Sequence, residues 1–279
     1  MLDYRRFAVA ALWLLLPGFA GAADLAPTPE LITKAPAAQP DWLVTIGGEF
    51  RAVPAWPGAP TSLYQYMAMP LLALQKPGEA PFFFGARDSF GFSVFDRDTL
   101  EIGPAFQIVW PRYNYQYGQL NGFGEVPWAL QAGGFVQYWA LPWLRLRGEV
   151  RQGFGGETGV TGDMFADVVV PVGQWRVSGG PRLAAQSTAA VSPYFSISPT
   201  QLAATGLPTY AATGGLYSYG AGAQLEYFWS RQWSAHALVE YERITGSPAD
   251  SPLVVVRGSP NQLTLGVGAT YSFTMHRLW

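Results

Sequence analysis

Cysteine is absent from the 279-residue chain, which excludes disulfides, thiolate metal sites and a lipid-modified N-terminal cysteine. Charge is scarce: Asp, Glu, Lys and Arg together make 13% of the residues, about half the usual share of roughly 25%. A surface kept in water needs more charge than this. Beyond the first two dozen residues no apolar run approaches the roughly 18 residues that a spanning helix requires. The 17 basic and 19 acidic residues leave a net charge of −2 with no basic stripe, which excludes a nucleic-acid partner. There are two histidines, and no His/Asp/Glu set has metal-ligand spacing. Gly155-Gly156, Gly214-Gly215, Gly220 and Gly222 lack the lysine and the strand–loop–helix setting of a phosphate loop, so no cofactor is expected.

Aromatic residues are abundant, at 15% of the chain, with 11 Trp, 14 Tyr and 17 Phe. Gly (32) and Pro (23) interrupt the chain too often for long helices. An apolar exterior without spanning helices points to a closed β-barrel, because lipid cannot satisfy an open sheet edge.

The N-terminus reads as an export signal. Arg5 and Arg6 precede an apolar core, Phe7 to Leu16. Pro17 and Gly18 break it, and Ala20-Gly21-Ala22 forms a small-residue cleavage site. Residues 1–22 are thus expected to be removed, and the Pro/Ala-rich stretch 23–41 to be a flexible periplasmic lead-in.

From Trp42 onward a period of two recurs. Leu263, Leu265, Val267, Ala269, Tyr271 and Phe273 fall on one face and Thr264, Gly266, Gly268, Thr270 and Ser272 on the other. Upstream, Leu100 to Trp110 alternates against Glu101 and Gln107, and Leu130 to Tyr138 against Gln131 and Gln137. Tyr217, Tyr219, Ala221, Ala223, Leu225 and Tyr227 oppose Gln224 and Glu226, and Ala235 to Tyr241 opposes His236, Glu240 and Glu242. A soluble sandwich also alternates, but it fills its core with bulky aliphatics. Here the apolar faces hold many Ala, Gly and rim aromatics, which matches lipid-out, lumen-in alternation. Short turns near 96–98, 141–142, 173–174 and 230–232 alternate with long connections at about 113–126, 188–214 and 246–261. In outer-membrane barrels the short turns are periplasmic and the long loops external. The fold expected for residues 42–279 is therefore an all-β, closed antiparallel transmembrane barrel of the bacterial outer membrane. Eleven segments are visible, and bacterial barrels use even numbers. Splitting 81–96 near Asp88-Ser89 into two short strands gives twelve, within a range of ten to fourteen.

Two groups of residues stand out. Arg145, Arg147, Glu149 and Arg151 share the inward parity with Asp163 and Asp167 on the next strand and with Arg176 and Arg182 on the one after. They form either a selectivity lining or, since opposite signs face each other, a mutually paired plug in which Glu149, Asp163 and Asp167 take the five arginines. The second group is the uncharged loop 188–214, with Tyr194, Phe195, Ile197, Leu202, Leu207 and Tyr210. It is expected to fold over the barrel mouth, as a lid or a binding surface, with a short helix capped by Thr200 and Gly206. Ser234 and His236 share a face but lie about 7 Å apart along a strand, too far for a nucleophile–base pair.

Several co-linear segments carry a resemblance. These are YFSISPTQLAATGLPTY in the long loop, Gly246-Ser247-Pro248-Ala249-Asp250-Ser251-Pro252, Arg257-Gly258-Ser259-Pro260-Asn261-Gln262, and upstream FDRDTLEIGPAF, AGGFVQYW and LRLRGEVRQGFGG. Over about residues 42 to 273 the chain resembles the MltA-interacting protein (MipA)/OmpV family of outer-membrane proteins. It departs from the family in continuing past Phe273 to Trp279 and in carrying Ser247-Pro248 where small or acidic residues are usual. The resemblance implies an outer-membrane barrel that scaffolds murein enzymes, a lytic transglycosylase and a murein synthase, with outer-membrane lipid around it. It supplies no catalytic residue. A solute channel and, less favoured, a barrel hydrolase are the competing readings.

Overall fold

The computed structural model describes residues 42–75, 88–97 and 99–275. The signal segment, the lead-in and residues 276–279 lie outside them. Twelve antiparallel strands form one sheet among the described residues. They are β1 (Trp42–Pro54), β2 (Tyr64–Gln75), β3 (Phe90–Gly91), β4 (Phe95–Arg97), β5 (Leu100–Val109) and β6 (Ala129–Leu141). β7 (Leu144–Gly155), β8 (Val160–Val172), β9 (Trp175–Gln186), β10 (Gly215–Phe228), β11 (Trp233–Ile244) and β12 (Asn261–Met275) follow. Each strand from β5 to β12 pairs with its chain neighbours, and β12 pairs with β1. The sheet curls so strongly that β1 and β5 to β12 all line a single chamber.

The split expected near Asp88-Ser89 puts its first short strand on residues 81–87. Residues 81–87 lie outside the described set. β3 and β4 both pair with β5, Phe90 opposite Phe106 and Phe95 opposite Ile102. They are one row with a one-residue register shift, on the C-terminal side of the expected split. The free edges of the described sheet are therefore β2 and β3, and successive antiparallel pairings make these two edges run in the same direction. Antiparallel closure needs one more row between them.

The two faces divide as the alternation requires. Val136, Leu146, Val150, Met164, Val177, Val239 and Val267 are exposed on the convex face, while Gln131, Arg145, Glu149, Asp163, Arg182 and His236 are buried on the concave one. Tyr217 is the exception. A register shift between Leu216 and Ser218 against β9 turns Leu216 and Tyr219 outward and buries Tyr217. One extra residue in a strand reverses the parity beyond it. At the short-turn end aromatics form a band. Trp175 meets Tyr227 at 4.6 Å, Trp229 stacks on Trp233 at 6.0 Å, and Trp233 meets Tyr271 at 4.8 Å. Such rings prefer the interface between hydrocarbon and water. Among the described residues no helix is long and apolar enough to cross a membrane, so any crossing here is made by strands.

The apolar core is not inside the sheet. It sits at the long-loop end, in a cap built from the connections after β1, β5, β7, β9 and β11. The cap holds four short helices, α1 (Thr188–Phe195), α2 (Pro199–Thr205), α3 (Gly246–Asp250) and α4 (Pro252–Arg257). One cluster joins Val126, Val191, Tyr194, Phe195, Tyr217, Ile244 and Val254. A second joins Trp56, Leu120, Phe123, Ile197, Leu207 and Leu253. α2 starts at Ser198, not Thr200. The Ser198 hydroxyl accepts from Gln201 N, and Ser198 N donates to the Gln201 side chain at 2.8 Å. This reciprocal cap leaves Thr200 inside the first turn. Gly206 ends the helix with φ 73°, as expected of a left-handed C-cap.

Two arginines tie the cap together through backbone carbonyls. Arg112 donates to Tyr194 O at 2.8 Å, Pro193 O at 3.2 Å and Gly124 O at 3.3 Å. Two of these belong to the last turn of α1, whose carbonyls have no helical partner. Burial pulls the Arg112 guanidinium down to about 10, which leaves it charged at neutral pH. Arg257, in the Arg257–Gln262 segment, donates to Gln119 O, Asn121 O and Thr205 O at 3.0, 3.2 and 2.7 Å. Gln262 of the same segment accepts from Gly58 N and donates to Ala59 O. Arg257→Ala should loosen the cap by about 1–2 kcal/mol, since three charge-assisted hydrogen bonds go. Hydrogen exchange should quicken in 113–126 and 199–206 while the strands keep their protection.

Candidate functional site

The concave face carries a continuous network of ion pairs. On β7, Arg145 donates from Nη1 to Asp167 Oδ2 at 3.0 Å, from Nη2 to Asp88 Oδ2 at 2.5 Å and from Nε to Gln137 Oε1 at 2.7 Å. Arg147 donates to Glu149 at 2.6 Å and lies 3.9 Å above the Phe135 ring. Arg151 pairs with Glu149 and with Asp163 at 2.5 Å. Arg182, on β9, holds the other oxygen of Asp167 at 2.5 Å. Four guanidiniums (Arg145, Arg147, Arg151, Arg182) thus meet four carboxylates (Asp88, Glu149, Asp163, Asp167). Arg145 is 0% exposed, Asp167 1% and Glu149 2%. Charges in an open aqueous pore would keep far more accessible surface.

Arg176 stands apart from the expected group. It lies nearer the short turn and pairs with Glu226 on β10, Nε to Oε2 at 3.0 Å. Two contributors come from outside the expected set. Asp88 and Ser89 precede β3 and reach the inner face, where Ser89 N donates to Glu149 Oε1 at 3.3 Å and Asp88 takes Arg145. Their chain position beside a short, interrupted strand gave no parity from which to assign them.

Glycines let pairs reach across an intervening strand. Arg182 on β9 approaches Glu240 on β11, Nε to Oε2 3.9 Å, over Gly222 of β10, where a Cβ would stand 3.3 Å from both side chains. His236 on β11 meets Glu49 on β1, Nε2 to Oε2 2.8 Å, over Gly268 of β12, where a Cβ would fall 2.5 Å from the His236 ring. Ser234 instead donates to Glu226 at 2.6 Å. Ser234 and His236 are thus turned to different carboxylates.

The loop residues singled out by sequence do not share one outward surface. Tyr194, Phe195, Ile197 and Leu207 are buried in the two cap clusters, Tyr210 is half-buried with its hydroxyl donating to Ser247 O at 2.8 Å, and Leu202 is exposed. Ser247, which looked like a casual departure from the family pattern, also accepts from Thr213 N at 2.9 Å.

Between cap and ion pairs lies a chamber of about 330 Å³. Arg151 and Asp163 are at its floor, Gln107, Gln131, Gln262 and Thr264 on its walls, and Trp56, Tyr194, Phe195 and Tyr217 at the cap side. Glu157, in the turn after β7, also lines it. Burial, opposed by hydrogen bonding from Gln131 and by the field of Arg151, raises this carboxyl above its ordinary value. Burial and the nearby Glu157 carboxylate likewise raise the Tyr194 phenol. Among the described residues no group of His, Asp and Glu could hold a metal ion.

Two predictions follow from this geometry. Asp167→Ala leaves Arg145 with Asp88 and Arg182 with only the more distant Glu240, and removing one partner of a buried pair costs up to roughly 3–5 kcal/mol. The thermal unfolding midpoint should fall well below that of Asp24→Ala. For Glu157 the raised value means that the folded chain holds more protons than the unfolded one just above the ordinary carboxylate pKa, so stability falls as pH rises through that window. Glu157→Gln should remove that slope and raise the melting temperature at neutral pH, read by a pH series of thermal scans.

The model of the family described as MltA-interacting protein MipA matches residues 46–273. No curated protein sequence matches the chain. Among solved structures, a NanC porin is 8% identical and aligns with TM-score 0.40 over 82% of this chain and 98% of its own. An outer-membrane channel from Pseudomonas putida F1 is 10% identical, with TM-score 0.38 over 90% and 100%. LpxR from Salmonella typhimurium is 11% identical, with TM-score 0.37 over 83% and 99%.

Proposed function

Because the chain belongs to the MltA-interacting protein MipA family, we propose that it is a non-enzymatic scaffold, a closed antiparallel barrel in the bacterial outer membrane that brings murein-processing enzymes together. A signal peptide at 1–22 delivers it, and 23–41 leads into the barrel from the periplasm. The long loops and their cap face outward, and the short turns face the periplasm. A lytic transglycosylase and a murein synthase are the proposed partners, as the family's name suggests for the first. The apolar convex face with its aromatic band supports lipid around the strands.

The observation that carries the scaffold reading over a conducting pore is the filled middle of the concave face. Four arginines and four carboxylates satisfy one another there with almost no accessible surface. An ion path needs a site weak enough to leave, and mutually neutralised pairs at hydrogen-bonding distance give neither a dominant sign nor room. The hydrolase reading lacks a nucleophile–base contact, with Ser234 committed to Glu226 and His236 to Glu49.

In planar bilayers the purified chain should show little or no ion conductance. Pull-down from envelope extracts should enrich a murein-cleaving transglycosylase. Large, ion-selective conductance without such enrichment would replace the scaffold by a channel.

A further inference from the structure

Glu157 lines the chamber without a cation of its own. It lies in the turn between β7 and β8 and is 4% exposed. Gly153 lets that turn fold back over the inner face: a Cβ there would stand 2.9 Å from Glu157 O and 3.2 Å from its Cγ. The Glu157 carboxylate accepts from the Gln131 amide. The oxygen of the same amide accepts from Arg151 Nε at 3.0 Å, and the other Arg151 donors go to Glu149 and Asp163. The guanidinium whose field reaches Glu157 is thus one neutral amide away and already committed. Among the described residues no cation stands within ion-pair distance of Glu157. A buried charge without a partner is costly, and burial accordingly lifts this carboxyl above its ordinary value.

The whole lining repeats this imbalance. Glu157, Asp163, Glu240 and Glu242 stand against Arg51 and Arg151, so carboxylates outnumber guanidiniums by two however the pairs are drawn. Groups just outside the lining do not restore the balance. Arg51 is shared with Glu49, and Arg182 approaches Glu240 only to 3.9 Å while holding Asp167 at 2.5 Å. Carboxylates only accept hydrogen bonds, so the occupant that fits them carries both positive charge and N–H donors. The cap side is lined by Tyr194, Phe195 and Tyr217, and aromatic rings attract a cation to their faces. No group of His, Asp and Glu among the described residues could hold a metal ion, so the charge belongs to an organic molecule. The chamber is partly open, which leaves a way in, and its volume of about 330 Å³ lies at the low end of small-molecule sites, roughly 300–1,000 Å³.

We infer that this chamber binds a small organic ammonium ion, whose N–H groups donate to Glu157 and whose carbon chain lies against the cap rings. The site is independent of the scaffold role. A barrel that recruits no enzyme could still hold an amine here, and a scaffold could still have an empty chamber.

The test uses the full mature chain in detergent at constant ionic strength. Putrescine is the probe, and glucose, citrate and magnesium are the neutral, anionic and inorganic-cation controls. Calorimetric titration should show saturable putrescine binding with a dose-dependent rise in melting temperature, and no comparable response to the three controls. Glu157→Gln keeps the side chain's size and its contact with Gln131 but deletes the charge, and should weaken putrescine binding at least about tenfold. Asp250→Asn removes an equal charge from the exposed cap surface and should leave the affinity unchanged. Should Glu157→Gln fail to fold, Glu242→Gln on the chamber wall supplies the same readout, again as weaker putrescine binding with the fold intact by circular dichroism. Absence of saturable putrescine binding, or a control that binds as tightly, would overturn the assignment. So would an affinity unchanged in the folded chamber variant, or an equal loss in Asp250→Asn.

Discussion

Four guanidiniums and four carboxylates occupy the middle of the concave face with almost no solvent, and a charge so placed is tolerable only while its partner stays within hydrogen-bonding distance. This requirement reaches well beyond the eight residues. It fixes register, because Arg145 stands opposite Asp167 and Arg151 bridges the opposed carboxylates Glu149 and Asp163, and a one-residue slip would set a charge against an apolar neighbour on the other face. It fixes curvature as well, because Arg182 and Glu240 belong to strands separated by a third. The sheet must bend, and the strand between must offer a hydrogen where others offer a side chain. Gly222 does this on β10 and Gly268 does it on β12. In both cases a position that looks merely small is the clearance through which two charged strands communicate.

Spending the interior on polar pairs moves the apolar packing elsewhere. The convex face leaves its aliphatic and aromatic residues exposed, so it does not serve as a core. The remaining place is the end of the sheet, where five connections condense into a cap with two apolar clusters. Loops can fold into such a body only if their backbone groups are paired, and this explains why the cap is laced by side chains that address carbonyls. Arg112 closes the end of α1. Arg257 gathers carbonyls from two different loops, and Gln262 locks the turn after β1. One of the segments that carry the resemblance, Arg257 to Gln262, is thus a structural clasp, and the resemblance it carries is one of architecture.

The fold was largely legible in the sequence, and the reasons for the failures are local. Strand faces could be read wherever the period of two ran unbroken, as from Leu144 to Val172, because a pleated strand leaves no other way to segregate charge from aliphatics. Tyr217 was assigned to the wrong face because a bulge has no signature in side-chain order. Past Asp88-Ser89 the expected short strand is interrupted, β3 and β4 forming one row along β5 with a register shift that nothing in the order of residues marks. The helix at 199–205 was anticipated, but its cap lies two residues earlier, at Ser198, where Gln201 completes a reciprocal pair that Thr200 could not make.

The sequence by itself determined the periodicity, the inventory of charge and the alternation of long and short connections. These are properties of neighbours along the chain, and they suffice for an antiparallel sheet with a polar and an apolar face. It also determined that Arg145, Arg147, Arg151 and Arg182 would point the same way as Glu149, Asp163 and Asp167. Only the tertiary structure decided that Asp88 and Ser89 would enter the network, that Arg176 would leave it for Glu226, and that the aromatic loop residues would turn inward to roof a chamber. Those outcomes depend on how far the sheet curls and on where glycines open a path across it. Curl is a sum of small rotations over many strand pairs, and no segment of the chain carries that sum alone.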